Sequence, residues 1–193
     1  KKMIVVGGGY IGLEMGSVWS RLGSEVHVIE FLENITPGMD MEISKEFMKI
    51  LKKQGIKFHM QHKVKQIVKN NSGATVTTVD KEGKQIDFDC NVVLISVGRK
   101  PNTEGLNLKA AGVQLDEKMR IKTDKNFRTN LDHIFAIGDV IKGPMLAHKA
   151  EEDGVALVEL INKEAGHVDY NLVPNIIYTA PEVASIGKTK DDL

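Results

Sequence analysis

The hydrophobic positions near the start of the chain form short continuous runs that alternate with periodic stretches. Residues 3–6 (MIVV) are uniformly apolar, which predicts a strand covered on both faces. Residues 25–30 (EVHVIE) and 56–60 (IKFHM) predict two further strands. Between them, residues 10–22 and 41–54 predict helices, with apolar faces formed by Ile11, Met15, Val18, Trp19 and Leu22 in the first and by Ile43, Phe47, Ile50 and Leu51 in the second.

This β-α-β-α-β order predicts an α/β fold with a parallel sheet and right-handed crossovers. Residues 63–89 then alternate apolar and polar side chains and are broken by NNSG and DKEG, which predicts an antiparallel meander of three strands. The run NVVLISVG returns to the apolar character of a parallel strand.

Later segments are shorter and carry more turn residues. We expect short strands near 119–122 and 134–137, a helix over about 145–163, and a strand-rich region in VPNIIYTAPEVASIGKT. Domain boundaries are expected near residues 97 and 170. No internal repeat or low-complexity segment is present.

The first strand leads into a glycine-rich turn, Gly7-Gly8-Gly9-Tyr10-Ile11-Gly12, which matches the dinucleotide-binding pattern G-x-G-x-x-G. In that pattern Gly7 allows the tight turn, Gly9 lets the backbone approach a pyrophosphate, and Gly12 lets the helix pack close to the strands. Amide groups at the helix N-terminus and the helix dipole then favour the phosphates. Glycines also form plain turns, but here the turn lies between a strand and a helix.

An acidic residue stands at the end of the second predicted strand. Glu30 lies 18 residues after Gly12 and is followed by Phe31 and Leu32, with no arginine at hand. A carboxylate there accepts hydrogen bonds from the adenine-ribose hydroxyls and repels a 2′-phosphate, so the position favours NAD over NADP. The alternatives are an exposed acid without a ligand, and a methyltransferase, in which the meander at 63–89 would be out of place.

Composition narrows the classes of function that remain. Apolar residues make up 41% and charged residues 27% of the chain, and 26 Lys and Arg balance 26 Asp and Glu, so nothing favours nucleic acid or an anionic membrane as a partner. No apolar run is long enough for a membrane span. The single cysteine, Cys90, is expected to be a buried structural thiol, and no metal site is indicated.

Two further motifs follow the glycine turn. VVLISVGRKPNT ends its strand in Gly98-Arg99, and TNLDHIFAIGDV ends in Gly138-Asp139. By itself, Asp139 would be read as a turn or capping residue. In this order, however, the three motifs resemble those of the pyridine-nucleotide-dependent flavoprotein disulfide reductases. GPMLAHKAEEDG and VPNIIYTAPEVASIGKT are most similar to the dihydrolipoyl dehydrogenase branch of that family.

The resemblance implies a fold and domains. It implies a Rossmann-like FAD/NAD(P)-binding domain over residues 1–97, with a parallel sheet, helices on one side and the three-stranded meander on the other. Residues 98–170 would form the C-terminal half of an FAD-binding domain, and residues 171–193 the start of a dimerisation domain. The chain is thus expected to be a central fragment, and the N-terminal FAD and redox-disulfide part is absent from it.

The resemblance also implies the cofactor sites. NAD would contact Gly7, Gly8, Gly9, Tyr10, Ile11, Gly12, Leu13, Glu14, Glu30, Val64 and Gly98. FAD would contact Asp139, through its ribitol chain, and Met145, Leu146, Ala147 and His148 at a helix N-terminus, where the dipole can stabilise the anionic reduced flavin. No catalytic residue is expected within these 193 residues, because the Cys-x4-Cys pair and the His–Glu base of the family lie outside them.

The implied activity is the oxidation of dihydrolipoamide on a lipoylated acyltransferase, with hydride passing through FAD to NAD. The intact enzyme would be a homodimer in the mitochondrial matrix of a eukaryote or the cytoplasm of a bacterium. The chain alone is expected to be inactive, to bind NADH weakly and to retain no FAD. The alternatives are a related NADH-dependent flavoprotein, of the mercuric reductase or NADH peroxidase type, and a stand-alone NAD-binding module.

Overall fold

The computed structural model describes all 193 residues, which divide into two compact units. Unit 1 combines Lys1–Gly98 with Pro174–Leu193, and unit 2 is Arg99–Val173. The roles predicted for residues 1–97, 98–170 and 171–193 remain predictions.

Unit 1 is built on a four-stranded parallel sheet in the order β3 (Lys57–His59), β2 (Glu25–Ile29), β1 (Lys2–Val6) and β7 (Val92–Ile95). Val5 lies in the central strand, opposite Val28 on one side and Leu94 on the other. The secondary structure up to the last of these strands consists of β1 Lys2–Val6, α1 Tyr10–Arg21, β2 Glu25–Ile29, α2 Met41–Lys53, β3 Lys57–His59, β4 Lys63–Asn70, β5 Gly73–Val79, β6 Gln85–Cys90 and β7 Val92–Ile95.

Successive side chains of β1 point to opposite faces of the sheet and so serve two cores. Val5 packs with Leu13 and Phe47 on the helical side. Ile4 packs with Val76 and Phe88 on the side of the antiparallel meander β4-β5-β6. The predicted α/β class, with helices on one side of a parallel sheet and a meander on the other, is therefore confirmed.

The predicted apolar faces of the helices are partly wrong. In α1, the side chains of Met15, Val18, Trp19 and Leu22 are exposed, and Trp19 retains 48% of its accessible surface. The buried residues of this helix are Gly12, Leu13, Gly16 and Ser17. A Cβ at Gly16 would lie 3.4 Å from Val26, so α1 approaches the sheet too closely for large side chains on that face. In α2, Phe47 and Leu51 are buried as predicted, but Ile43 is exposed.

The C-terminal segment of unit 1 forms the predicted strand-rich region. It contains the antiparallel pair β8 Asn175–Ile177 and β9 Val183–Ser185. Ile177 is buried in the helical-side core. The backbone N–H of Tyr178 donates to Glu14 Oε1 at 2.9 Å, which ties this pair to α1.

Unit 2 has its own core, which includes Ile121, Phe127 and Ala156. It contains the short helix α3 Leu108–Ala111, which the sequence pattern missed, and the long helix α4 Ala147–Ile161, which the pattern predicted. A single turn of 3-10 helix, Gly138–Val140, precedes α4.

The strands predicted near 119–122 and 134–137 are not formed. Only two isolated bridges occur there, Leu115 with Ile121 and Arg128 with Phe135. Asp116 Oδ1 accepts the backbone N–H groups of residues 118 and 120, and Asp124 Oδ1 accepts those of residues 126 and 128. These turns use the amide groups that a longer strand pairing would need.

Cys90 is buried at the end of β6, and its Sγ lies 3.3 Å from the carbonyl oxygen of Ala74, to which it donates. Burial raises the pKa of this thiol, so it remains protonated, and the expected burial is confirmed. No helix has both the length and the apolar character needed to cross a bilayer. No group of three or more His, Cys, Asp or Glu side chains is arranged to hold a metal ion.

Candidate functional site

The turn between β1 and α1 can be formed only with glycine at its first position. Gly7 has a φ of +108°, and a Cβ there would lie 2.3 Å from the carbonyl oxygen of Ser96 in the chain after β7. Both the backbone conformation and the space exclude a side chain. The turn therefore passes directly over the end of the neighbouring parallel strand.

The other two glycines of the motif have opposite surroundings. A Cβ at Gly12 would lie 2.3 Å from the carbonyl oxygen of Gly7 and 2.6 Å from Ser96 Oγ, so the helix begins against the turn. A Cβ at Gly9 would meet nothing within 4 Å. The space beside Gly9 is therefore open to a ligand, and this is the position at which the motif requires the backbone to face a pyrophosphate.

Helix α1 presents an uncapped N-terminus at this open side. Its N-cap residue, Gly9, has no side chain to bond the first amide groups, and the first turn contains no acidic residue. The leading amides of a helix have no partner within the helix, and the dipole makes this end positive. The arrangement suits a phosphate or pyrophosphate group.

The remaining helix residues predicted to contact NAD lie in different surroundings. Tyr10 and Ile11 are partly exposed in the first turn. Leu13 is fully buried in the core, and the side chain of Glu14 accepts a hydrogen bond from Tyr178. Leu13 could therefore contribute only backbone atoms to a ligand.

Glu30 lies next to the glycine turn and is nine-tenths buried. Its Oε2 accepts the N–H of Gly8 at 2.5 Å, and its Oε1 accepts the N–H of Leu32 at 2.7 Å. The carbonyl oxygen of Gly8 in turn accepts the N–H of Thr36 at 2.9 Å. Glu30 thus holds the turn while it places a carboxylate beside it, and each oxygen keeps a further lone pair for a hydroxyl donor.

The residues that follow Glu30 provide no positive charge. Phe31 is 64% exposed and Leu32 is also exposed. A 2′-phosphate on the adenosine ribose would meet the Glu30 carboxylate without a basic partner from these residues. Val64 lies in β4 next to a bulge and contacts the meander-side core, and Gly98, with a φ of +117°, ends the first segment of unit 1.

A second turn, in unit 2, places the other predicted carboxylate. Asp139 lies in the 3-10 turn, and its Oδ2 is 3.1 Å from Arg99 Nη2. Arg99 Nη1 also donates to the carbonyl oxygen of Met145 at 3.2 Å. Arg99 therefore connects the Asp139 carboxylate with the segment that leads into α4.

Helix α4 begins where the flavin contacts were predicted. Its N-cap is Leu146, its first turn contains Ala147 and His148, and neither a side-chain cap nor an acidic residue occupies this end. A carboxylate and an uncapped helix N-terminus therefore occur together in unit 2. Carboxylates accept hydrogen bonds from hydroxyl groups, and a helix N-terminus stabilises negative charge, so these groups fit a flavin with its ribitol chain.

The family model for pyridine nucleotide-disulphide oxidoreductases matches residues 1–154. This match covers both turns and about the first half of α4. The chain belongs to this family. The resemblance drawn from the three motifs is therefore confirmed at the level of the family.

Curated relatives of this family member match all of its residues. Dihydrolipoyl dehydrogenases are 51% identical in Dictyostelium discoideum and 53% identical in Pisum sativum, over 100% of this chain and 40% and 39% of theirs. A leghemoglobin reductase from Glycine max is 52% identical over 100% of this chain and 37% of its own length. The chain thus spans about two-fifths of the length of these relatives.

Solved structures of two bacterial proteins support the fold. The flavoprotein disulfide reductase RclA from Escherichia coli is 27% identical with a TM-score of 0.87, covering 99% of this chain and 43% of its own. LpdA from Mycobacterium tuberculosis is 25% identical with a TM-score of 0.86, covering 98% of this chain and 41% of its own.

Sequence reasoning missed the residues that support the two turns. Ser96 Oγ donates to the carbonyl oxygen of Val6 at 3.0 Å, and Thr36 bonds the glycine turn from a φ of +51°. Arg99 stood next to a predicted site residue, but nothing in the sequence showed that it reaches Asp139. Such contacts join residues that are far apart in the chain, so no local pattern reports them.

Proposed function

We propose that this chain supplies the NAD-binding region and part of the FAD-binding region of a dihydrolipoyl dehydrogenase. The whole enzyme would oxidise dihydrolipoamide carried by a lipoylated acyltransferase and pass the hydride through FAD to NAD+. The observation that carries the proposal is the Gly7–Gly12 turn with Glu30 bonded to it. Relatives about half identical over the full chain bear the name of this enzyme, and several are named mitochondrial.

The NAD site would be formed by the predicted set: Gly7, Gly8, Gly9, Tyr10, Ile11, Gly12, Leu13, Glu14, Glu30, Val64 and Gly98. The backbone of the turn would hold the pyrophosphate, and Glu30 the adenosine ribose. Support comes from the open space at Gly9, the uncapped start of α1 and the absence of a basic residue directly after Glu30.

The FAD contribution would come from Asp139 and from Met145, Leu146, Ala147 and His148. When bound, the flavin carries electrons from the thiol substrate to the nicotinamide, while the protein positions the two cofactors. Asp139 would accept hydrogen bonds from ribitol hydroxyls, and the start of α4 would face negative charge on the flavin. We further propose that the intact enzyme is a homodimer located in mitochondria if its source is eukaryotic.

The activity is tested on the full-length gene product that includes these residues. Dihydrolipoamide and NAD+ should yield NADH, and the purified protein should show flavin absorbance bands. Leghemoglobin is assayed in parallel, because a relative named for that substrate is equally similar. A protein that holds flavin but forms no NADH from dihydrolipoamide would contradict the proposal. The 193 residues alone should show no turnover and retain no flavin.

Cofactor choice is tested with Glu30→Gln. The amide keeps the size of the side chain but loses its charge, and it can no longer accept both N–H groups. We expect the preference for NAD over NADP, measured as the ratio of kcat/KM values, to fall about tenfold, as expected when one charge repulsion is removed. The matched control is Glu33→Gln, an exposed acid three residues away, which should leave the ratio unchanged. Equal ratios in both variants would contradict the role of Glu30.

A further inference from the structure

A fully buried ion pair lies inside α4, and neither of its members belongs to the predicted cofactor contacts. Lys149 Nζ and Asp153 Oδ2 are 2.8 Å apart, one helical turn from each other, and both side chains are 0% exposed. Removing two charges from water is costly, and an apolar pair of similar volume is often no less stable. The ion pair therefore requires an explanation other than stability.

Both members of the ion pair bind the backbone of one residue, Gly138. Lys149 Nζ donates to the carbonyl oxygen of Gly138 at 2.9 Å, and the N–H of Gly138 donates to Asp153 Oδ2 at 2.9 Å. Gly138 has a φ of +72°, and a Cβ there would lie 3.2 Å from the side chain of Ala150. The two peptide groups that flank Gly138 are therefore each oriented by a buried charge.

Tyr170 completes this cluster. Its hydroxyl donates to Asp153 Oδ1 at 2.9 Å, and Lys149 Nζ lies 4.9 Å from the centre of its ring. Burial, and then the neighbouring Asp153, raise the pKa of Tyr170, so the phenol keeps the proton that it donates. A Cβ at Gly143 would lie 2.8 Å from the ring and 3.0 Å from Lys149, which shows that the cluster is closely covered.

The residue after Gly138 is Asp139, and the residues before Lys149 form the start of α4. One helix thus carries the predicted flavin-facing N-terminus and, within its first two turns, the charges that orient the turn bearing Asp139. The ion pair is therefore a second link between these two groups, besides Arg99, although neither Lys149 nor Asp153 belongs to the predicted flavin contacts.

We propose that Lys149, Asp153 and Tyr170 form a positioning cluster that sets the Asp139 carboxylate against the start of α4 for FAD binding. This inference rests on the proposed function, because it assumes that Asp139 meets the flavin. It adds that affinity for FAD depends on a buried ion pair whose members are not among the predicted cofactor contacts.

The test is the double variant K149M/D153L in the full-length gene product. The apolar pair leaves no charge buried alone, but the polar groups of Gly138 and Tyr170 lose their partners, so the melting temperature of the apoprotein should fall and the FAD titration is made well below it. The Kd for FAD, from flavin fluorescence titration, should rise about tenfold, as expected when one charge-assisted hydrogen bond is misplaced. The exposed Glu152→Gln on the same helix is the matched control and should leave this Kd unchanged.

Hydrogen exchange provides a measurement that does not depend on the flavin. The Gly138 amide should exchange faster in the double variant, because its buried acceptor is gone. Tyr170→Phe, a milder change, removes one donor to Asp153 and should raise the Kd for FAD about threefold and also speed this exchange. This second variant gives the answer if the first does not fold.

The outcomes separate the two proposals. A wild type that holds no flavin overturns the proposed function. A wild type that holds flavin, with the variants binding it within about twofold of the wild-type Kd, overturns the positioning role alone. Unchanged exchange at Gly138 would also overturn it, because the charges would then not hold this turn.

Discussion

The turn at Gly8 in unit 1 and the turn at Gly138 in unit 2 are held in similar ways by different groups. In each, a glycine N–H donates to a buried carboxylate and the carbonyl of the same glycine accepts a hydrogen bond. At Gly8 the carboxylate is Glu30 and the other donor is a backbone N–H. At Gly138 the groups are the two charges of an ion pair from a single helix.

The two turns differ in whether the carboxylate that holds the turn is also the one predicted to bind the cofactor. Glu30 both shapes its turn and is the residue predicted to meet the ribose, so a change there affects both roles. In unit 2 the supporting carboxylate, Asp153, is separate from the predicted binding carboxylate, Asp139. The first turn otherwise depends on space, through Gly7 and Gly12, whereas the second depends on buried charge.

The largest effect is expected from breaking the ion pair on one side. Lys149→Met leaves Asp153 buried without its cation, which should lower the free energy of unfolding by about 3–5 kcal/mol. Urea unfolding of the full-length gene product measures this loss. The double variant K149M/D153L should recover only part of it, because no charge is left alone but Gly138 and Tyr170 still lose their partners. A single variant no less stable than the double would contradict the role of the ion pair in the second turn.

The corresponding break in the first turn is Gly7→Ala. The methyl group would meet the carbonyl oxygen of Ser96 from a positive φ, so both strain and crowding should lower stability by about 3 kcal/mol. NADH binding, followed by protein fluorescence quenching, should be lost as well. Wild-type stability in this variant would show that space does not control the turn.

Gly9→Ala separates binding from folding in the same turn. A Cβ at Gly9 meets no protein atom within 4 Å, so stability should change by less than about 1 kcal/mol. The added methyl group faces the space proposed for the pyrophosphate, so the Kd for NADH should rise about tenfold. Gly7→Ala should lower both stability and NADH affinity, whereas Gly9→Ala should lower affinity alone. An unchanged Kd for NADH in Gly9→Ala would show that the ligand does not contact Gly9.

The smallest expected effect is a dependence of stability on pH, which arises from His59 in unit 1. Burial, reinforced by the charges of His27, His62, Lys2 and Lys57, lowers the pKa of His59 to about 4. His59 lies at the end of β3, where its carbonyl oxygen accepts the N–H of Glu30. Because the folded pKa is below the unfolded value, the unfolded chain binds more protons, and stability falls as the pH drops from about 6.5 towards 4.

Since His59 is only half buried, this loss should be about 1 kcal/mol between pH 7 and pH 5. Urea unfolding at the two pH values measures it. His59→Gln should remove this part of the dependence, and the exposed His133→Gln in unit 2 is the control. An equal acid loss in wild type and His59→Gln would assign the dependence to other groups.

Sequence patterns predicted most of the secondary structure but not which face of α1 is buried. Continuous apolar runs identified β1 and β7, but only β1 has the burial expected of a parallel strand, because Val92 and Ile95 of β7 are exposed. The apolar spacing in α1 predicted the wrong buried face, because close packing against the sheet selected Gly12 and Gly16 over Met15 and Trp19. The strand predicted near 119–122 failed where Asp116 formed a turn, and near 134–137 only the isolated bridge of Phe135 with Arg128 formed.

The sequence by itself determined the family, because the Gly7–Gly12 turn, the acid at Glu30 and the Gly138-Asp139 motif are local and their order along the chain is specific. Only the tertiary structure showed that Glu30 bonds Gly8 and that Lys149 and Asp153 bond Gly138. An i,i+4 pair of opposite charges is usually a surface feature, and its sequence is the same whether the pair is exposed or buried. Segments distant in the chain decide whether the pair is buried. They thereby decide the free-energy cost of desolvating each charge and the group to which each charge bonds.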